Sequence, residues 1–267
     1  MTAHAHGSPS WFELATHDQS AAKHFYGALF GWTFEDNPMG EGSVYTMFKL
    51  GGRDVAAAYT LDPQQAAQGV PPNWSVYFKA DDADATLAKV VQGGEGGAAG
   101  KVHMPAFDVG DYVRMAVCAD TEDAVFCLYQ PKGHPGVAAI REPNAICWAE
   151  LATRDVPRAE AFYAGLFGWT LQTHEHSPTL YRMFGNGDGM LGGLLQMTPE
   201  WGEMPSHWSI YIQVEDVDAV VATALANGGE LCFPAFDAPG VGRIARINDP
   251  AGAGFYIIKF VPEIEAA

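Results

Sequence analysis

Two glutamates occupy corresponding places in a repeated segment. Trp11-Phe12-Glu13-Leu14-Ala15-Thr16-His17-Asp18 returns 137 residues later as Trp148-Ala149-Glu150-Leu151-Ala152-Thr153-Arg154-Asp155. The strand period of two puts Trp11 and Glu13 on one face, and Trp148 and Glu150 likewise. A carboxylate on such a face is costly to bury without a partner. Arg114 and Arg243, at matching positions on a later strand, are the candidates for that partner. One reading is a pair of buried ion pairs that fix the register. The other is that Glu13 and Glu150 bind a ligand's polar group, or act as general bases with a burial-raised pKa.

Other chemistry finds less support. None of the nine histidines recurs at a matched position: His4 and His6 fall in a tail expected to be mobile, and His103 corresponds to Cys232. A metal-ligand set confined to one half stays open. Cys118, Cys127, Cys147 and Cys232 show no C-x-x-C spacing and read as reduced, strand-borne residues. The glycine-rich run 93–100 follows a helix, whereas a phosphate loop must precede one, so it reads as a helix stop. No Ser-His-Asp order, nucleophile elbow or Walker spacing occurs.

The elements that position these residues are repeated too. Phe25-Tyr26-Gly27-Ala28-Leu29-Phe30-Gly31-Trp32 returns as Phe162-Tyr163-Ala164-Gly165-Leu166-Phe167-Gly168-Trp169. Asn73-Trp74-Ser75-Val76-Tyr77 returns as His207-Trp208-Ser209-Ile210-Tyr211, and Pro105-Ala106-Phe107-Asp108 as Pro234-Ala235-Phe236-Asp237. Within each half the order strand, Asp-capped helix closed by glycine, then three strands occurs twice. The chain is therefore expected to be α+β, with four βαβββ modules. One domain spans 8–131, with modules 8–62 and 72–131. A breaker-rich linker covers 132–144, and a second domain spans 145–262, with modules 145–198 and 204–262. One βαβββ module leaves a sheet face bare, so modules must pair, and a curved sheet can then enclose a ligand cavity.

A net charge of −17, with only 15 Lys and Arg, speaks against nucleic acid and anionic lipid as partners. With no signal peptide and no apolar span, the sequence is read as cytoplasmic, and either a monomer or a homodimer would suffice.

The opening strand followed by Asp, the Phe-Tyr…Leu-Phe-Gly-Trp helix end, the Asp-helix-Gly-Gly element and the turn Asn248-Asp249-Pro250-Ala251-Gly252 together resemble the vicinal oxygen chelate superfamily. That superfamily holds glyoxalase I, extradiol dioxygenases and bleomycin- and fosfomycin-resistance proteins. The layout is similar to tandem glyoxalase-like proteins of actinobacteria. The resemblance implies metal ligands on the opening strand of each module and a carboxylate on the last. Counted onto this chain, those places hold Trp11, Trp74, Trp148 and Trp208, with Cys127 and Tyr256 on the last strands. Indole has no lone pair for a divalent ion. No metal and no other cofactor is therefore expected.

The tryptophans instead offer flat walls to a planar or aromatic ligand, or simply fill the core. The candidate ligand-binding set is Trp11, Trp74, Arg114, Cys127, Trp148, Trp208, Arg243 and Tyr256, with Tyr77 and Tyr211 placed on the opposite, helix-facing side. The function expected is small-molecule binding without metal. The alternative is a lyase, isomerase or dioxygenase-type enzyme on a small oxygenated substrate, using Glu13 and Glu150 or an unorthodox metal site.

Overall fold

A computed structural model describes residues 4–40, 42–67, 69–93, 98–175, 177–187 and 189–261. Residues 94–97 of the glycine run at 93–100, and residue 262 at the expected end of the second domain, lie outside the described residues.

The first half carries β1 (Pro9–Thr16), α1 (Gln19–Phe30), β2 (Thr33–Gly40), β3 (Ser43–Leu50), β4 (Arg53–Thr60), α2 (Pro63–Ala67), β5 (Asn73–Lys79), α3 (Ala83–Gln92), β6 (Lys101–Val109), β7 (Val113–Ala119) and β8 (Val125–Pro131). The second carries β9 (Ile146–Thr153), α4 (Val156–Phe167), β10 (Thr170–Thr173), β11 (Tyr181–Asn186), β12 (Gly189–Gln196), β13 (His207–Gln213), α5 (Val217–Ala226), β14 (Glu230–Ala238), β15 (Gly242–Asn248) and β16 (Gly254–Phe260). Each half yields one eight-stranded sheet, ordered β2-β3-β4-β1-β5-β8-β7-β6 and β10-β11-β12-β9-β13-β16-β15-β14. The βαβββ order is thus present four times, and modules of one half join edge to edge. Neither sheet closes, since β2, β6, β10 and β14 remain as edges.

Local signals set the element ends. The Asp18 side chain accepts the N–H groups of Ser20 and Ala21 and starts α1, and Gly31 ends it in the left-handed region. Asp155, Asp82 and Asp216 cap α4, α3 and α5 in the same way.

The chain forms two compact units whose segments interleave. One takes residues 1–11, 75–136 and 148–209, and the other 12–74, 137–147 and 210–267. In the first unit, Phe162, Tyr163 and Phe167 of α4 pack on Phe78 and Phe126, strand residues from the other sequence half. In the second unit, Phe25, Tyr26 and Phe30 of α1 pack on Phe255 of β16. All these rings are buried.

The N-terminal segment is anchored rather than loose. Gly7 N–H donates to the Lys79 carbonyl at 2.8 Å, and His6 Nδ1 accepts from Asp81 N–H at 3.2 Å. His6 also meets the Phe167 ring edge-on at 5.7 Å. None of the four cysteines forms a disulfide, and only Cys232 is partly exposed.

Candidate functional site

Glu150 is the buried carboxylate on β9, 6 % exposed. β9 runs parallel to β12 and places Glu150 opposite Gly193. Tyr181, at the start of β11, donates its hydroxyl to Glu150 Oε2 at 2.8 Å and accepts Trp148 Nε1–H at 2.9 Å. Burial, then the Glu150 charge, pushes the Tyr181 phenol well above its ordinary range.

Gly193 makes this arrangement possible. A Cβ there would overlap the Tyr181 hydroxyl oxygen and ring. Gly193→Ala is therefore expected to expel Tyr181 from Glu150 and destabilise the fold by about 1–3 kcal/mol, the range for overpacking. Urea unfolding checks the stability, and the tyrosine absorbance spectrum checks the displacement.

The second unit repeats the pair. Tyr45 of β3 donates to Glu13 Oε1 at 2.5 Å. Tyr45-Thr46-Met47-Phe48 and Tyr181-Arg182-Met183-Phe184 correspond in sequence, so the glutamate partner is a matched tyrosine. Sequence reasoning passed over these tyrosines, although their recurrence beside a duplicated glutamate was the available signal.

The expected arginine partners lie elsewhere. Arg114 makes a bidentate contact with Asp84, at 2.7 and 2.8 Å, and also reaches Asp108. Arg243 treats Asp218 and Asp237 in the same way. Asp84 and Asp218 stand in the first turns of α3 and α5, so both guanidinium groups project toward those helices.

A second correction concerns β5 and β13. Trp74 Nε1–H donates to the Tyr26 hydroxyl at 2.9 Å, and that hydroxyl donates to Asp249 Oδ2 at 3.2 Å. In the other unit, Trp208 donates to Tyr163 at 3.0 Å and Tyr163 to Asp120 Oδ2 at 3.0 Å. Trp74 and Trp208 thus face helices α1 and α4. Tyr77 and Tyr211 take the opposite face: Tyr211 stacks on Tyr256 at 4.5 Å, and Tyr77 is the register partner of Cys127. The helix-packed face carries Trp74, Val76 and Phe78 in β5 and Trp208, Ile210 and Ile212 in β13, the more apolar side of each strand.

Trp11, in the first unit, packs on Tyr129 and on His134 from the segment after β8, with centroids at 6.2 and 4.9 Å. Tyr129 hydroxyl and His134 Nδ1 are 2.7 Å apart. A cleft of about 430 Å³ in the same unit is lined by Glu122, Arg154 and the 202–206 loop. Its polar groups serve the protein. Glu122 accepts from Thr153, Ser206 and the Arg154 N–H, and the Arg154 guanidinium holds the Gly202 and Met204 carbonyls.

The corrected register puts Asn73, Ser75 and Tyr77 of β5, and His207, Ser209 and Tyr211 of β13, on the face away from the helices. Among the described residues no three His, Cys, Asp or Glu side chains converge as an ion would require.

The sequence profile of the Glyoxalase/Bleomycin resistance protein/Dioxygenase superfamily matches residues 8–128 and 145–257, one stretch in each half. The chain belongs to this superfamily. It is 42 % identical over 259 residues to CFP32 of Mycobacterium tuberculosis, named as a glyoxylase, covering 96 % of both chains. It is 33 % identical over 269 residues to DnrV of Streptomyces peucetius, named an anthracycline biosynthesis protein, covering 97 % of this chain and 95 % of that one.

Among solved structures, it is similar to the Mn(II)-bound glyoxalase of Novosphingobium aromaticivorans, with TM-score 0.61, 14 % identity, and coverage of 95 % of this chain and 83 % of that one. It is also similar to 2,2',3-trihydroxybiphenyl 1,2-dioxygenase of Sphingomonas wittichii, with TM-score 0.63, 12 % identity, and coverage of 96 % and 91 %. Likeness at that identity establishes the fold. Among the described residues, no helix of this superfamily member is long and apolar enough to cross a membrane.

Proposed function

We propose that the chain is a small-molecule-binding member of the superfamily that works without a metal or other cofactor, and that its Glu–Tyr pairs receive the polar end of a planar, oxygenated ligand. The observation that carries this reading is the duplicated pair itself, Glu150 with Tyr181 and Glu13 with Tyr45. A carboxylate held by a phenol in a largely apolar strand face is a strong acceptor for a ligand hydroxyl. In the first unit Trp148, Trp11 and Cys127, and in the second Tyr256, supply the apolar surface proposed for the ligand. The name of DnrV points to polycyclic aromatic ligands, which suit such walls. Each sequence half, 8–131 and 145–262, is taken as one binding domain of a cytoplasmic monomer or homodimer that engages neither nucleic acid nor membrane.

Isothermal titration with the hydroxyanthraquinone alizarin tests the proposal. Wild type is expected to bind, and Glu150→Gln and Glu13→Gln to weaken binding at least tenfold together while the melting temperature moves by no more than about 3 °C, the shift that a change of ~1 kcal/mol produces in a chain of this size. Undiminished binding by the double variant would remove the pairs from the site. Loss of folding would return them to a structural role.

A second reading is favoured by the same hydrogen bond. A carboxylate beside a phenol can take a proton from a carbon acid while the phenol stabilises the developing negative charge, which is lyase or isomerase chemistry. Conversion of a bound substrate, lost in Glu150→Gln, would select it.

A further inference from the structure

One rung of the second sheet differs in chemistry from its counterpart in the first. Phe233 of β14 is the register partner of Arg246 of β15, Arg246 of Tyr256 on β16, and Tyr256 of Tyr211 on β13. All four belong to one compact unit. Tyr211 and Tyr256 lie almost parallel, with an interplanar angle of 8°. Phe233 extends the row at 6.4 Å from Tyr256, and Phe236 follows at 5.8 Å. Exposure rises along the row from 7 % at Tyr256 to 36 % at Phe233 and 44 % at Phe236. The Arg246 guanidinium lies 5.8 Å from the Tyr256 ring centroid.

Arg246 is half-buried in a chain of net charge −17, yet among the described residues its guanidinium has no carboxylate partner and no hydrogen bond. Arg53, Arg114, Arg182 and Arg243 each have a carboxylate. A guanidinium offers five N–H donors in a planar fork suited to a carboxylate, and resting on a ring uses none of them. It lies close over Gly254, where a Cβ would come within 2.8 Å of Arg246 Nη2 and 3.1 Å of Asn248 Oδ1.

The equivalent rung of the first sheet is Met104, Val117, Cys127 and Tyr77, joined by the same register, with Val125 in the place of Gly254. The first sheet thus has neither the cation nor the glycine beneath it. A half-buried guanidinium whose donors the protein leaves unused can take an external anion.

We propose that Phe233, Arg246, Tyr256 and Tyr211 form a binding site for a planar aromatic carboxylate, whose ring lies along the aromatic row and whose carboxylate is taken by Arg246. The site belongs to the second sequence half alone. It shares Tyr256 with the surface proposed above, but its carboxylate contact, to Arg246, does not require Glu13 or Glu150.

Titration of the full chain with 2-naphthoate, and with the neutral isostere 2-naphthamide, tests this. Wild type is expected to bind naphthoate at least tenfold more tightly than the amide, with affinity falling as salt rises. Arg246→Met is expected to abolish the difference, and Tyr256→Leu to weaken both ligands. Lys259→Gln, which removes an exposed positive charge from β16, is expected to change naphthoate affinity less than twofold. Equal wild-type affinities for the two ligands, or no naphthoate binding at millimolar concentration, would overturn the proposal even if the variants fail to fold. Naphthoate binding that survives Arg246→Met in a folded protein would overturn it as well.

Discussion

Asp120→Ala is expected to cost about 3 kcal/mol or more of stability, because it leaves three buried donors without their acceptor. Asp120 Oδ1 accepts the N–H groups of Glu122 and Ala124 at 2.9 and 3.0 Å, and Oδ2 accepts the Tyr163 hydroxyl at 3.0 Å. Alanine strands all three donors, each worth about 1–3 kcal/mol when buried without an acceptor. It also loosens Trp208, whose indole N–H depends on the fixed Tyr163 hydroxyl.

Asp249→Ala is expected to act alike in the other unit, where Asp249 accepts from Ala251, Ala253 and Tyr26. Burial holds both carboxyls above the usual carboxylate range. Asn, which keeps an acceptor and removes the buried charge, should therefore cost much less than Ala. Urea unfolding of the Ala and Asn variants provides the comparison, and equal losses would contradict this account of the carboxylate.

The second large effect is alkaline lability. Tyr26, Tyr163 and Tyr181 are held well above the ordinary phenol range, by burial first and then by Asp249, Asp120 and Glu150 respectively. A folded-state pKa above the unfolded value means that the unfolded chain releases its protons first. Stability is then complete below the unfolded pKa and is lost as pH rises beyond it. Each such phenol steepens the loss by about 1.4 kcal/mol per pH unit above pH ~10, so the three together remove about 4 kcal/mol per unit. The buried Cys118 thiol, pushed up to about 12, adds to the slope from a lower pH. Unfolding free energies at pH 9, 10 and 11, with tyrosinate absorbance, measure this. Ionisation of all ten tyrosines in folded protein near pH 10 would contradict it.

Much of the fold was legible because local chemistry and long-range packing agree. Asp18 and Gly31 frame α1 where the spacing of Ala22, Phe25, Tyr26 and Leu29 predicts a helix, and those four residues are buried. The repeat made the second half readable from the first. Glu13 and Glu150 were legible as paired carboxylates, but their partners were not. A partner is set by which strand lies alongside, and β3 and β11 reach the glutamates from beyond β4 and β12.

The faces of β5 and β13 were read the wrong way round because their tryptophans were placed by counting onto the superfamily's ligand positions, whereas the alternation of Trp74, Val76 and Phe78 with Asn73, Ser75 and Tyr77 marks the tryptophan side as the more apolar, helix-packed one. Asp249 read as a turn residue, which it is, through its bonds to Ala251 and Ala253. Its third bond, to Tyr26, joins residues 223 apart, which no local pattern announces. Arg246 was invisible for a related reason: only the register shows that it lacks an acidic neighbour.

A crystal structure of the chain soaked with alizarin tests the central claim most directly. The account predicts a ligand oxygen within about 3.2 Å, the outer limit of an N–H···O or O–H···O bond, of the carboxylate or phenol of at least one Glu–Tyr pair. Alizarin bound elsewhere, with both pairs untouched and closed on themselves, would contradict it.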